Sequence, residues 1–214
     1  MKIGIIGAGR IGGTVARLLA RAGHEVALSN SRGPESLAET VATINREAGS
    51  SKVRATTADE AAAFGEVVLL AAPWRSLDNL PRAEAFRGTI VIDATNPYGA
   101  SGELIDLGTS TSSEEVAKRL PGARVVKAFN TINWEHLAKR GRTDLPLERR
   151  RAIFIAGDDV AAKKVVAAVI EEIGFAPVDT GGLRDGGRSQ QAGSPLSNRN
   201  LTQAEAVAIL AAAS

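Results

Sequence analysis

The sequence predicts an α/β fold built on a doubly wound, mostly parallel sheet, and three observations carry that expectation. Short apolar runs recur along the chain, helix-forming stretches alternate with them, and Gly or capping residues bound both. Continuous apolar strands are buried on both faces, as in a parallel sheet covered by helices. Right-handed crossovers leave few ways to connect such units.

Strands are expected at residues 2–6, 24–29, 52–56, 66–71, 89–92, 123–128, 151–156 and 176–179. Thr14 to Arg21 is helix-forming, and a helix over Glu35 to Ala48 opens behind Pro34, where a missing N–H is tolerated. Ser112 followed by Glu115 has the form of a capping box for a helix running to Leu120. Asp158 or Asp159 is placed to cap a helix over Val160 to Ile173, and a last helix is expected over 202–213. Two segments break the alternation. Tyr98 to Ser113 is rich in Gly, Ser and Thr, and Gly181 to Asn200 carries five Gly and three Arg. Stretches of this length act as lids, binding loops or linkers.

At 214 residues the chain has room for one domain with a modest carboxy-terminal extension. The expected division is a core over 1–140 and a smaller part over 141–214 that completes the sheet. Hydrophobic content of 44% against 4% aromatic leaves Ala, Val, Ile and Leu to fill the core. With no Cys and two His, disulfides, thiolate nucleophiles, iron–sulfur clusters and Cys/His zinc sites are excluded by inventory. The apolar stretches Val67 to Trp74 and Ala206 to Ala213 fall short of the roughly 20 residues of a membrane span. Lys2 to Ile6 runs straight into Gly7, unlike a signal peptide, so the expected home is cytoplasmic. A formal charge of +2 without a basic run points away from nucleic acid and towards small polyanionic molecules.

Lys2 to Ile6 followed by Gly7, Ala8, Gly9, Arg10, Ile11 and Gly12 reads as strand, GxGxxG and helix. In this Rossmann pattern the first Gly makes the tight turn, the second lets backbone approach a pyrophosphate, and the third lets helix and strand pack closely. The competing possibility is a glycine turn that binds no dinucleotide. The next strand ends in Asn30, Ser31 and Arg32, where an NAD enzyme would place an acid for the ribose 2′-hydroxyl. A hydroxyl and a guanidinium suit a 2′-phosphate, so NADP(H) is expected, with a merely solvated Arg32 as the competing reading.

Ligands of open α/β sheets sit beyond the carboxyl ends of strands. There the chain offers Ala72, Pro73 and Trp74, then Asn96 before Pro97, then Asn130, Thr131 and Ile132. Trp74 could equally cap a core, and Asn96–Pro97 could be a turn pair. None of these is a strong acid or base, and Tyr98 has Gly102 where a Tyr–Lys proton-donating pair would need Lys. Lys127 falls inside an expected strand, His24 at the start of one and His136 on a short polar helix. Hydride exchange between two stacked cofactor rings needs less than carbonyl reduction, because the redox chemistry belongs to the cofactors.

Taken together, GxGxxG at residues 7–12, Ser31 and Arg32, Pro73 and Trp74, and Lys127 to Ile132 resemble the NADPH-dependent coenzyme F-420 reductases over nearly the whole chain. The resemblance implies a Rossmann domain, usually a homodimer, that moves hydride between NADP and a deazaflavin, or less readily FMN or FAD. It implies that Ser31 and Arg32 hold the 2′-phosphate and that Ala8 with Ile132 flanks the stacked rings. Two departures fall in the ring pocket: Ala8 stands where archaeal members carry Thr, and Asn130 where they carry His. Residues 190–196 resemble a bacterial branch of dinucleotide-binding reductases, and the oxidoreductase domain of membrane ferric reductases is a more distant likeness. The alternatives are a reductase of a small carbonyl or imine and a non-enzymatic NADP(H) sensor.

Overall fold

Four- and five-residue aliphatic runs become the strands, because such side chains pack on both faces of a pleated ribbon. β1 is Lys2–Ile6, β2 Glu25–Ser29, β3 Val53–Thr56, β4 Val67–Leu70, β5 Ile90–Asp93, β6 Arg124–Ala128, β7 Ala152–Ala156 and β8 Ala176–Asp179. The computed structural model describes residues 1–212. All eight expected strands are present. They join in one sheet of order β3-β2-β1-β4-β5-β6-β7-β8, parallel throughout except where β7 runs antiparallel to β6. The order reverses between β1 and β4, which opens a crevice at their carboxyl ends.

The helices are α1 Arg10–Arg21, α2 Ala38–Ala48, α3 Ala58–Phe64, α4 Ser112–Arg119, α5 Trp134–Lys139, α6 Val160–Glu172, α7 Asp185–Ser189 and α8 Gln203–Ala212. On one face of the sheet Val15 and Leu19 of α1, Ile44 of α2 and Val166 and Ile170 of α6 form a single cluster with Ile3 and Ile5. On the other, Val116 of α4 joins Phe86, Leu77 and Ile6.

Four local expectations change. α1 begins at Arg10, directly behind the glycines, and its turn through Gly12 and Gly13 closes with Gly13 N donating to Gly9 O at 2.8 Å. The stretch behind Pro34 splits into a 3-10 turn over Pro34–Leu37 and then α2. The capping box of α4 sits one residue earlier than expected, with Thr111 and Glu114 as its partners instead of Ser112 and Glu115. The physical reason is tertiary: the Ser112 and Ser113 hydroxyls are engaged by Lys127 and Asp93. Finally, the stretch over 181–200 contains α7, and Asp158 accepts from Leu183 N while Asp159 caps α6. The helix expected over 202–213 runs over Gln203–Ala212, residue 213 lying outside the described residues. Among the described residues no helix is long and apolar enough to cross a membrane.

His24 is a structural residue at the start of β2. Its ring is buried, with Nε2 2.8 Å from a Glu172 carboxylate oxygen and Nδ1 3.3 Å from the amino terminus. Burial pushes its pKa below the ordinary histidine value, while Glu172 works in the opposite direction. The fold therefore binds this proton less well than the unfolded chain, so the stabilising contribution is present above about pH 6.5 and is lost as the pH falls below it. Urea midpoints at about pH 7.5 and 5.5 should show a larger acid loss for the wild type than for His24→Gln. Equal losses would contradict this assignment.

Candidate functional site

The loop joining β1 to α1 is shaped by its glycines. Gly7 adopts φ 108°, and a Cβ there would lie 2.6 Å from the Ala71 carbonyl carbon and oxygen. A Cβ on Gly12 would lie 1.8 Å from the Gly7 carbonyl oxygen, so α1 approaches the strand end closely only without one. Gly9 differs, because a Cβ there would meet nothing within 4 Å. Open space thus stands over the loop at the amino end of α1, whose first turn holds no acid and receives no side-chain cap. Such a terminus presents backbone N–H groups to an anion, and the space fits a pyrophosphate.

Beyond β2, Asn30 organises the next turn. Its Oδ1 accepts from Arg32 N at 2.9 Å and its Nδ2 donates to Ser36 Oγ at 2.9 Å. The side chains of Ser31 and Arg32 are left exposed, and among the described residues no hydrogen bond or ion pair engages the Arg32 guanidinium. No acid stands at positions 30–32 directly behind β2; the first acid along the chain is Glu35, in the 3-10 turn that follows. A ribose 2′-phosphate would meet a hydroxyl and a free cation there, whereas a bare 2′-hydroxyl would find no carboxylate to accept its proton.

Both elements face one cleft of about 670 Å³ at the carboxyl edge of the sheet. Gly7, Ala8, Gly9, Arg10 and Ile11 line it, as do Asn30, Ser31 and Arg32. From the turn after β4 come Ala72, Pro73 and Trp74, and from the turn after β5 Asn96. Trp74 serves both readings given to it, since it lines the cleft and also packs against the Leu77 and Phe86 cluster. Arg10 lies over the Trp134 ring, 5.4 Å from its centroid. Gly12 is buried beneath the loop and contributes by packing.

Asn130, Thr131 and Ile132 lie outside this lining. Thr131 and Ile132 are buried. Asn130 follows Phe129, which takes the left-handed φ of 65° although it is not Gly, so the chain turns sharply at the end of β6. The Asn130 amide donates to Gln190 O at 2.7 Å and to Asn96 Oδ1 at 3.3 Å, and Asn96 donates back to Asn130 O at 2.9 Å. Asn130 therefore reaches the cleft through Asn96.

Three features escape a reading of motifs alone. The side chains of Arg75 and Tyr98 both line the cleft, and among the described residues neither has an ion-pair or hydrogen-bond partner. The third is a charged cluster beneath Thr95. Lys127 and Asp93 are fully buried 3.6 Å apart on paired positions of β6 and β5. Lys127 Nζ donates to Ser112 Oγ at 2.7 Å, Ser113 Oγ at 3.2 Å and Thr95 O at 3.3 Å. Asp93 accepts from Thr95 N and Oγ1, at 2.9 and 2.7 Å, and from the Ser113 hydroxyl. Burial lowers the Lys127 pKa and Asp93 opposes that shift. The cluster fixes the turn that presents Thr95 and Asn96 to the cleft. A charged residue at the last position of one apolar strand and the last but one of its neighbour is the signal that could have found it.

A glycine cradle at a sheet reversal, followed by an exposed guanidinium with no acid at positions 30–32, has the form of a Rossmann-class site for NADP. Comparison with known proteins narrows the class. Residues 2–97 match the family described as NADP oxidoreductase, coenzyme F420-dependent. A hypothetical protein from Sinorhizobium meliloti is 35% identical, with 94% of this chain and 95% of that one covered and a TM-score of 0.79. A proposed F420-dependent NADP reductase from Arthrobacter sp. FB24 is 30% identical, with 86% of each chain covered and a TM-score of 0.70. Rat metalloreductase STEAP3 is 31% identical over 188 residues, 85% of this chain. The chain spans about a third of that curated relative's length, 34%. This chain belongs to the coenzyme F420-dependent NADP oxidoreductase family.

Proposed function

We propose that this protein moves hydride between NADP(H) and a planar ring acceptor, coenzyme F-420 or a flavin, held against the nicotinamide over the β4 and β5 end of the cleft. The observation that carries this reading is the chemistry of the cleft. It extends from Arg32 beyond β2, past the glycine loop, to Asn96 and Tyr98 beyond β5, and among the described residues no Asp, Glu, His or Lys lines it. The site offers alignment and anion binding, and no charged acid–base pair.

The bound nicotinamide supplies the hydride chemistry. Everything else falls to the chain: the amides at the start of α1 face the pyrophosphate, Ser31 and Arg32 take the 2′-phosphate, and Ala8 and Pro73 wall the nicotinamide half. Asn96, steadied by Asn130, orients the ring. A hydride carries two electrons and one proton, so reduction of the acceptor draws its second proton from solvent. Alignment of two rings supplies most of the rate in such a transfer.

NADPH deuterated at the transferring C4 position should deliver its label to C5 of the F-420 ring, where the new C–H bond does not exchange with water. Reduced F-420 without label would overturn the reading for that acceptor, and with a flavin, whose N5–H exchanges, the same substitution should instead slow NADPH oxidation. Arg32→Ala should raise the NADPH dissociation constant about tenfold or more, as expected for a charge-assisted contact of about 1.5–3 kcal/mol. NADH affinity should change little in the same variant. Unchanged NADPH affinity would remove the 2′-phosphate assignment.

A further inference from the structure

We propose that Tyr98 is the platform on which the planar ring of the hydride acceptor rests. The proposal builds on the hydride-transfer reading above and assigns a residue to its second ligand. Tyr98 is the chain's only tyrosine. Its backbone is fixed in a small hairpin: Gly99 N donates to Glu103 O and Ile105 N to Pro97 O, both at 2.8 Å, and Tyr98 bridges Leu104. The residue is nonetheless 44% exposed and lines the cleft, and among the described residues its side chain has no hydrogen-bond, ion-pair or ring partner. A rigid backbone carrying an unengaged aromatic ring at a ligand cleft is an arrangement suited to stacking.

Sheet order places that ring relative to the cofactor. Arg32 lies beyond β2, the glycine loop beyond β1, and Tyr98 beyond β5, two strands past the reversal. With the adenosine phosphate at Arg32 and the pyrophosphate at the glycine loop, Tyr98 falls at the nicotinamide end. Between the glycine loop and Tyr98 the cleft is walled by Ala71, Ala72, Pro73 and Ala94, which are small, with Trp74 as the other aromatic. Small walls leave room for a flat ring, and an aromatic face supplies contact area at low conformational cost.

The test uses the whole chain saturated with NADP⁺, to which FMN and coenzyme F-420 are added separately while their fluorescence is followed. NADPH affinity is measured in parallel. Tyr98→Ala should weaken binding of the ring compound at least about tenfold and leave the NADPH dissociation constant within about twofold, and Tyr98→Phe should restore ring binding. Ring compounds that bind through Tyr98 but receive no hydride would refute the hydride-transfer reading and leave the platform standing. Three results would overturn the platform: neither ring compound binding the wild type, ring affinity unmoved by Tyr98→Ala, or NADPH affinity falling as far as ring affinity. Turnover lost in Tyr98→Phe as fully as in Tyr98→Ala would also overturn it, because the hydroxyl would then be the working group.

Discussion

Replacing Lys127 with Ala is expected to cost about 3–5 kcal/mol of folding stability, a large part of the roughly 5–15 kcal/mol that holds a domain folded. Lys127 and Asp93 are both fully buried, and removal of the ammonium strands a carboxylate with no counter-charge. The hydroxyls of Ser112 and Ser113 and the carbonyl of Thr95 lose their shared donor at the same time. A double change, Lys127→Met with Asp93→Leu, removes both charges and should be less destabilising than Lys127→Ala alone. Urea denaturation of the two variants reads the difference. A single variant within about 1 kcal/mol of wild type would show that the cluster is not the anchor described here.

Gly12→Ala and Gly9→Ala should separate two roles within one loop. At Gly12 a methyl group collides with the Gly7 carbonyl oxygen, backbone against backbone, so the turn must shift. Overpacking of this kind costs about 1–3 kcal/mol of stability. NADPH affinity should fall at least about a hundredfold, equivalent to about 2.8 kcal/mol. At Gly9 a methyl group meets nothing within 4 Å, and φ of −75° suits any residue. Gly9→Ala should therefore melt with the wild type while losing NADPH affinity, because its methyl group occupies the pyrophosphate's space. Thermal melting and NADPH titration check both. A Gly9→Ala protein that binds NADPH normally would contradict the cradle, and a Gly12→Ala protein normal in both would contradict the packing.

These two cases also mark where the sequence is legible. The glycine loop is a local device, and its spacing is written in consecutive residues from Gly7 to Gly12. The eight strands are legible for a related reason: burial on both faces makes each a continuous apolar run such as Val67 to Leu70. Strand direction is not written in apolar content, so the antiparallel turn of β7 against β6 appears only in the assembled sheet. The capping box illustrates tertiary override. Ser112 and Glu115 have the local form of a cap, yet the serine hydroxyl is drawn to Lys127 from another strand and Thr111 takes the role.

The site divides in the same way. Asn30, Ser31 and Arg32 follow directly from a strand end and sit on the cleft. Arg75 and Tyr98 depend on how turns after β4 and β5 fold back, and the pairing of Lys127 with Asp93 depends on strand register, so what each of the four touches is not legible in the sequence. Asn130 stands between these cases: its place at a strand end is visible in the sequence, but its amide turns towards Asn96 and Gln190.

Anaerobic oxidation of NADPH, followed at the nicotinamide absorbance with coenzyme F-420, FMN, FAD or no acceptor in parallel, tests the central claim most directly. The account predicts oxidation that depends on a ring acceptor and is faster with NADPH than with NADH. A protein that binds NADPH tightly yet passes hydride to none of the three would contradict it.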